Sequence, residues 1–279
     1  MANKEGDADM DRRTVLITGG GAGLGEAMAR RFAAAGWTPI VADLNADRAQ
    51  TVAADIGGDA LTLTMDVTRE ADWARVADEI EQRFGRLDVL INNAGVAVGG
   101  TLEETSVEDW RWVLEIDLMG VVLGCKTFAP AMRGHGSGHI INVASFAGFA
   151  AAPGINAYGT AKAGVIAMSE MLRAELADSG VEVSVLCPAF VRTRLTETMR
   201  APDDSYQKRV ERWMDSSGVS ADDVASVVLG AVEKPRFLLL THGNTRWIHR
   251  LRRWVPETYF RIVRRGVRRA VARQAKKTS

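Results

Sequence analysis

The chain has 279 residues and a mass of 30.2 kDa, with 47% hydrophobic and 25% charged residues. That is enough for one large α/β domain with a sizeable core, and it excludes a disulfide-stapled mini-protein, a collagen-like chain and a globally disordered one. The formal charge is zero, yet 14 of the 35 basic residues and only one of the 35 acidic residues, Glu257, lie from Lys234 onward, so a body of net charge −13 carries a stretch of +13.

Residues 1–13 are polar and of mixed charge, without the apolar core of a leader, and no apolar run approaches the roughly 20 residues a bilayer crossing needs. Apolar patterning then predicts a strand over 14–18 that runs into the glycine-rich turn Gly19 to Gly25, a helix near 26–35, and a strand over 39–42 that ends on Asp43. Helices near 47–56 and 70–84 alternate with strands at 61–65 and 89–91. A helix near 107–132, a strand over 139–144, a helix over 157–178 and a strand over 182–186 follow, and Pro188 closes the last of them. A helix near 221–232 and a strand at 237–241 complete the alternation. Short strands that are apolar throughout need cover on both faces, so the predicted fold class is α/β, a doubly wound parallel sheet in three layers, α/β/α. The expected division is a polar tail over 1–13, a dinucleotide-binding catalytic domain over 14–241 and a basic amphipathic extension over 242–279. Cys125 and Cys187 can build no disulfide framework and lack metal-ligand spacing, as expected of a cytoplasmic chain.

Glycines after a buried strand let the backbone turn tightly and approach a pyrophosphate, while the following helix offers free N–H groups and the positive end of its dipole. The spacing G-x-G-x-x-G fails, because the sixth position is Leu24 counted from Gly19 and Glu26 counted from Gly21. No Lys-Ser or Lys-Thr pair follows, which excludes a P-loop. The spacing that fits is T-G-x-x-x-G-x-G, from Thr18 to Gly25. Asp43, 18 residues beyond Gly25, can accept hydrogen bonds from the hydroxyls of an adenosine ribose and would repel a 2′-phosphate. No arginine or lysine lies in the turn or directly after Asp43, so NAD is expected over NADP. The same carboxylate can alternatively serve as a solvated loop residue or a helix cap ahead of Asn45.

Tyr158 and Lys162 lie four apart on a predicted helix, which puts both on one face. A free phenol has a pKa of about 10, so exchanging protons at neutral pH requires about 4 kcal/mol in favour of the phenolate. A neighbouring ammonium acts in that direction. Ser145 follows a predicted strand at the sheet's carboxyl edge, where ligands of such folds bind and where its hydroxyl can hydrogen-bond a substrate carbonyl. A Y-x-x-x-K pair alone is common on ordinary helices; its weight comes from the serine strand and the glycine turn.

With these motifs together, the chain resembles the short-chain dehydrogenase/reductase family over about Thr14 to Thr241. T-G-G-G-A-G-L-G is similar to the family's cofactor turn, and N-N-A-G at Asn92 to Gly95 resembles the segment after the fourth strand. The resemblance implies a Rossmann-like fold and a homo-oligomer, a dimer or tetramer. It implies cofactor contacts from Gly19, Gly23, Leu24 and Gly25 of the turn, from Asp43 and Leu44, and from the adenine-side pair Asp66 and Val67. Asn93, Ala94 and Gly95 belong to the same set, as do Pro188, Val191 and Thr193 of the stretch C-P-A-F-V-R-T. It further implies Ser145 orienting the carbonyl, Tyr158 as acid/base, and Lys162 holding the nicotinamide ribose and lowering the tyrosine pKa. The sequence departs from the family at Ala189, where glycine is usual, and at Asp117, where the family places an asparagine that holds a relay water. An aspartate can still accept from such a water, but its charge opposes the pull of Lys162 on Tyr158.

In the resembled fold the segment Phe146 to Pro153, with Phe149, and the loop Phe190 to Met214, with Leu195, Met199, Trp213 and Met214, would surround the substrate; their apolar character suits a hydrophobic ketone or secondary alcohol, of steroid, aromatic or lipid-like kind. The four histidines share no metal-ligand spacing, so no metal is expected, and Cys187 reads as a packed thiol. Beyond Thr241, Trp247, Leu251 and Trp254, and then Tyr259, Val263 and Val267, recur at helical spacing among arginines, which predicts two amphipathic helices. Such helices can cover the substrate mouth or a neighbouring subunit, or lie on an anionic membrane surface, which would add a peripheral inner-membrane location; no sequence-reading motif points to nucleic acid. The expected function is an NAD(H)-dependent oxidoreductase. Its rivals are a nucleotide-binding scaffold or sensor with little turnover, or a membrane-surface-binding module acting through the tail.

Overall fold

The computed structural model describes residues 12–243 and 245–278, with side chains up to Arg268. Seven strands, β1 (Thr14–Thr18), β2 (Thr38–Asp43), β3 (Leu61–Thr64), β4 (Val89–Asn92), β5 (Gly138–Val143), β6 (Val181–Cys187) and β7 (Leu238–Leu240), form one parallel sheet in the order β3-β2-β1-β4-β5-β6-β7. Parallel neighbours need crossovers, and helices supply them. These are α1 (Gly23–Ala34), α2 (Ala46–Ile56), α3 (Glu70–Phe84), the pair α4 (Val107–Leu114) and α5 (Gly120–His135), then α6 (Ala147–Ala150), α7 (Asn156–Glu175), α8 (Asp204–Asp215) and α9 (Ala221–Glu233).

Strand period sorts the core into two layers. Val15, Ile17, Val41 and Ile91 face Met28 and Phe32 of α1 and Val224 and Val228 of α9. Leu16, Ile40, Leu90 and Ile140 face the opposite layer, with Trp73 and Ile80 of α3, Phe128 of α5 and Val165 of α7. The chain runs outward from β1 to β3, then returns to the other side of β1 for β4. A crevice opens at such a reversal, at the carboxyl ends of β1 and β4, because the helices leaving those ends turn to opposite faces.

Two differences from the sequence reading matter for the site. The single helix predicted near 107–132 is two helices joined by a π turn, Glu115–Met119, which holds Asp117 fully buried. The segment between Phe190 and Met214, read as a loop, contains a 3₁₀ turn, Arg194–Thr198, and α8, which Asp203 caps by accepting from Ser205 N. The apolar residues of α8 recur at helical spacing, but their run is short and mostly polar between. The helices α10 (Thr245–Trp254) and α11 (Pro256–Thr278) form the extension, with Pro256 at the first helical position, where a missing N–H costs nothing. Among the described residues no helix is long and apolar enough to cross a membrane.

Candidate active site

A cavity of about 550 Å³ opens at the reversal point. Its nucleotide side begins at the turn after β1. Gly19 has φ +62°, and a Cβ on Gly25 would collide with the Gly19 carbonyl oxygen, so α1 can approach β1 closely only with glycine there. Gly25 therefore acts by packing and does not line the cavity, whereas Gly19, Gly23 and Leu24 do. No side chain caps α1, whose Ncap is Ala22, so its first N–H groups point free into the cavity.

The adjoining segments are tied together by hydrogen bonds. Thr18 Oγ1 accepts from Asn93 N at 2.9 Å and from Ala94 N at 3.0 Å, and Asn93 Nδ2 donates to the Thr18 carbonyl at 2.8 Å. Asp43 accepts from Gly21 N at 2.9 Å and from Asn45 N at 2.9 Å, so its carboxylate braces both loops at the mouth. Asn45, not Asp43, caps α2, accepting from Arg48 N. Leu44, Asp66, Val67, Asn93, Ala94 and Gly95 complete this wall. Arg48 and Arg194 also line the cavity, which the sequence reading did not anticipate. Arg48 lies five residues past Asp43 on the first turn of α2, so only a helical projection from the Asn45 cap would have found it. Its guanidinium lies 3.6 Å from Glu197, which partners Arg194 at 2.6 Å.

At the opposite end, Ser145, Tyr158, Lys162 and Asp117 meet on one wall. Lys162 is 4% exposed; its Nζ lies 3.1 Å from Asp117 Oδ2 and donates to the Val143 carbonyl at 3.1 Å. Asp117 Oδ1 accepts from Val96 N at 2.8 Å, while Oδ2 faces the ammonium without a directed hydrogen bond and keeps acceptor capacity. Gly95 leaves room for the pair, since a Cβ there would sit 3.3 Å from both Asp117 Oδ1 and Lys162 Nζ. The ammonium lies 5.9 Å from the Tyr158 ring centroid, and Ser145 Oγ accepts from Ala147 N at 3.1 Å.

The charges of this cluster are coupled. Burial pushes the Tyr158 phenol above its ordinary value; Lys162 pulls it down, Asp117 pushes it up again, and hydrogen bonding with Ser145 pulls it down. Burial likewise raises the Asp117 carboxyl, against the ammonium and the Val96 N–H. For Lys162, burial opposes the charge, but Asp117 and Tyr158 more than offset it and raise the pKa, so the ammonium persists. Cys187 lies nearby with its thiol pushed up to about 12 by burial, which keeps it a neutral packed group.

Beyond this wall the cavity is lined by Val96, Ile116, Ala189, Leu195, Thr198 and Met214, and by Pro188, Val191 and Thr193 where β6 ends. Of the apolar residues expected around a substrate, Leu195 and Met214 lie here, whereas Phe146, Phe149, Phe190, Met199 and Trp213 do not. Phe149 is buried in the main core and packs edge-on against Phe146 and against His249 of α10, with centroids 4.9 and 5.1 Å away. Phe190 stacks on Trp213 at 5.0 Å, 39% exposed, and Met199 reaches over Gly99. These side chains found neighbours outside the cavity because the core and α8 offered more apolar area to bury.

A glycine turn at the head of a helix, uncapped N–H groups, an acidic residue at the end of β2 and a buried Tyr-Lys-Ser cluster define a dinucleotide-binding oxidoreductase. The sequence profile of the short chain dehydrogenase family matches residues 13–204, and the chain belongs to the short-chain dehydrogenase/reductase family. It is 35% identical over 219 residues to meso-2,3-butanediol dehydrogenase of Serratia marcescens, covering 78% of this chain and 86% of that protein. To a 3-alpha-(or 20-beta)-hydroxysteroid dehydrogenase of Mycobacterium tuberculosis it is 31% identical over 225 residues, with 78% and 86% covered. A crystal structure of a family member from Burkholderia phymatum in complex with NAD superposes with a TM-score of 0.83 at 32% identity, over 90% of this chain and 96% of that one.

Proposed function

We propose that the protein is an NAD(H)-dependent oxidoreductase that interconverts a hydrophobic secondary alcohol and its ketone, with Tyr158 as the proton donor and acceptor. The observation that carries this reading is the meeting of Tyr158, Ser145, Lys162 and Asp117 on one wall, between a nucleotide-shaped half and an apolar half of the same cavity. The chain fits a dinucleotide: no side chain caps the first turn of α1, and Gly19, Ala22, Gly23 and Leu24 line the open cavity at its head. When bound, the dinucleotide supplies the hydride acceptor or donor. Gly19, Gly23 and Leu24 would hold its phosphates, Asp43 the adenosine ribose, Asp66 and Val67 the adenine, and Pro188, Val191 and Thr193 the nicotinamide end.

The residues of the cluster divide the remaining work. Ser145 fixes the substrate oxygen by hydrogen bonding. Tyr158 Oη gives a proton to that oxygen in reduction and takes it in oxidation, with Lys162 stabilising the phenolate. Asp117 holds Lys162 in place and offers the free Oδ2 as an acceptor for a water that links the cluster to solvent. The preference for NAD rests on the Asp43 carboxylate at the ribose end and on Arg48 being engaged by Glu197. A hydrophobic substrate is supported by the apolar Val96, Ile116, Leu195 and Met214. We further infer a homo-oligomer, supported by the exposed Met119 and Met171 on α5's approach and α7, and a cytoplasmic location, supported by two buried free thiols.

The test is NADH formation by the purified enzyme across a panel of hydrophobic secondary alcohols. Tyr158→Phe is expected to lower kcat by about 10² to 10⁴-fold, the usual weight of a general acid/base, while NADH binding followed by fluorescence persists. A variant with undiminished turnover removes Tyr158 from the reaction, and a chain that binds NADH but turns over no alcohol favours the sensor reading.

A further inference from the structure

The eight arginines of the extension with described side chains, Arg246 to Arg268, include none that forms an ion pair with a described carboxylate. Among the described residues, therefore, the acidic body forms no ion pair with them. Their field is felt locally: the His249 imidazole is pushed below its ordinary value by burial and, next, by Arg253, Arg252 and Arg250.

The apolar side of the same helices is only half used. His249 packs edge-on against Phe149, and the Tyr259 hydroxyl donates to the Ala150 carbonyl, so α10 and α11 are anchored on α6, immediately downstream of Ser145. Trp247, Leu251 and Trp254 recur at i, i+4 and i+7 along α10 and form a second stripe. Trp247 is 72% and Trp254 77% exposed, and Phe260 of α11 is 55% exposed. Arg250 stands over the Trp247 ring at 5.8 Å. Exposed tryptophans rimmed by arginines that have no ion pair among the described residues form an interaction surface, since the rings leave apolar area in water and the charges can take an anionic partner.

What covers it is constrained by three further observations. No described residue of α10 or α11 lines the cavity, so the stripe is not a lid on the substrate mouth. A two-fold contact of one extension with the other would set arginines against arginines, because the same patch then meets itself. Nucleic acid offers phosphates but no apolar layer for Val255, Ile262 and the tryptophans, which are exposed together. An anionic bilayer offers both layers at the right depth.

We propose that α10 and the described part of α11 form an interfacial surface that seats the enzyme on anionic lipid, with Trp247, Trp254 and Phe260 entering the headgroup boundary and the arginines pairing with lipid phosphates. Because the surface is anchored to α6, seating would place the substrate side of the cavity close to the membrane. The claim concerns where the enzyme sits and is independent of which alcohol it oxidises.

The experiment is sedimentation of the full chain with vesicles of phosphatidylcholine alone and of phosphatidylcholine mixed with phosphatidylglycerol, at low and high salt. Co-sedimentation is expected with the mixed vesicles, at least about tenfold weaker without the anionic lipid, and reduced by salt. Trp247→Ala with Trp254→Ala is expected to weaken partitioning by about tenfold or more while leaving turnover of a water-soluble alcohol unchanged. Arg250→Gln with Arg253→Gln, which leaves the apolar stripe intact, is expected to weaken it by about fivefold per charge. No binding to the anionic vesicles overturns the proposal. So does binding that the tryptophan pair leaves untouched, and so does self-association in place of vesicle binding that the same pair abolishes.

Discussion

On the nucleotide side of the cavity every strand from β1 to β4 contributes its end or the residue just after it: Gly19 follows β1, Asp43 ends β2, Met65 follows β3 and Asn93 follows β4. On the substrate side the walls are Leu195 and Thr198 of a 3₁₀ turn and Met214 of α8, elements joined to the sheet only through connecting chain. Strand ends are held by ladder hydrogen bonds on both sides, so their positions follow from the register of the whole sheet. The outer turn and α8 are placed by their own caps and by side-chain contacts such as Arg200 with Asp109 at 3.1 Å, which a substitution can alter without disturbing the ladder. A shared chemistry can therefore keep one half of the cavity while the other half changes with the substrate.

If the nucleotide half is as rigid as this implies, intrusions there should cost most. Gly25→Ala is expected to cost cofactor affinity more than about a hundredfold or to prevent folding, because the added methyl meets the backbone of Gly19 and strand and helix must part; titration of NADH fluorescence and a thermal melt distinguish the two, and unchanged affinity would mean that the turn is softer than its geometry. Replacing the carboxylate by Asp43→Ser should lower kcat/KM for NAD by about 10 to 100-fold, the weight of lost charge-assisted hydrogen bonds, and raise the ratio for NADP over NAD. An unaltered ratio would place the ribose elsewhere.

The substrate half should respond residue by residue. Leu195→Ala is expected to raise KM for a hydrophobic alcohol by about tenfold through lost apolar contact, whereas Phe190→Ala should change it by less than about threefold. Equal effects would show that Phe190 swings off Trp213 into the cavity when substrate binds. The smallest change in rate, and the most specific, is expected from Asp117→Asn. Its negative charge raises the Tyr158 pKa, so removing it lowers that pKa, and alcohol oxidation, which needs the phenolate, should reach its plateau at lower pH. A profile that stays in place, measured as kcat against pH, would mean that Asp117 is neutral in the working enzyme.

How much of this was readable beforehand follows the same division. Tyr158 and Lys162 share a helix face by their spacing alone, and Thr18 to Gly25 announces itself by turn chemistry between two apolar elements. Arg48 was invisible because it enters the nucleotide wall by projecting from α2, five residues from the motif beside it. Phe146 and Phe149 are expected at the substrate from the resembled fold and their apolar character, yet hydrophobicity has no direction along a chain, and Phe149 turns inward to the core. The π turn at Glu115–Met119 leaves no mark in the pattern: one extra residue rotates a helical stripe by about 100°, but Val113, Leu114, Ile116, Leu118 and Met119 are dense enough to suit either phase.

Local rules act through neighbours in the chain, and they alone determined the alternation of short apolar strands and helices, the glycine turn, the helix pair at the carboxyl end and the lopsided charge. Whether the carboxylate of Asp117 meets the ammonium of Lys162, which aromatic rings face the cavity, and whether the arginines of the extension find partners were decided by the tertiary structure. Those are questions of distance between residues far apart in sequence, and burial, which settles both the pKa values and the packing, exists only once the layers have closed.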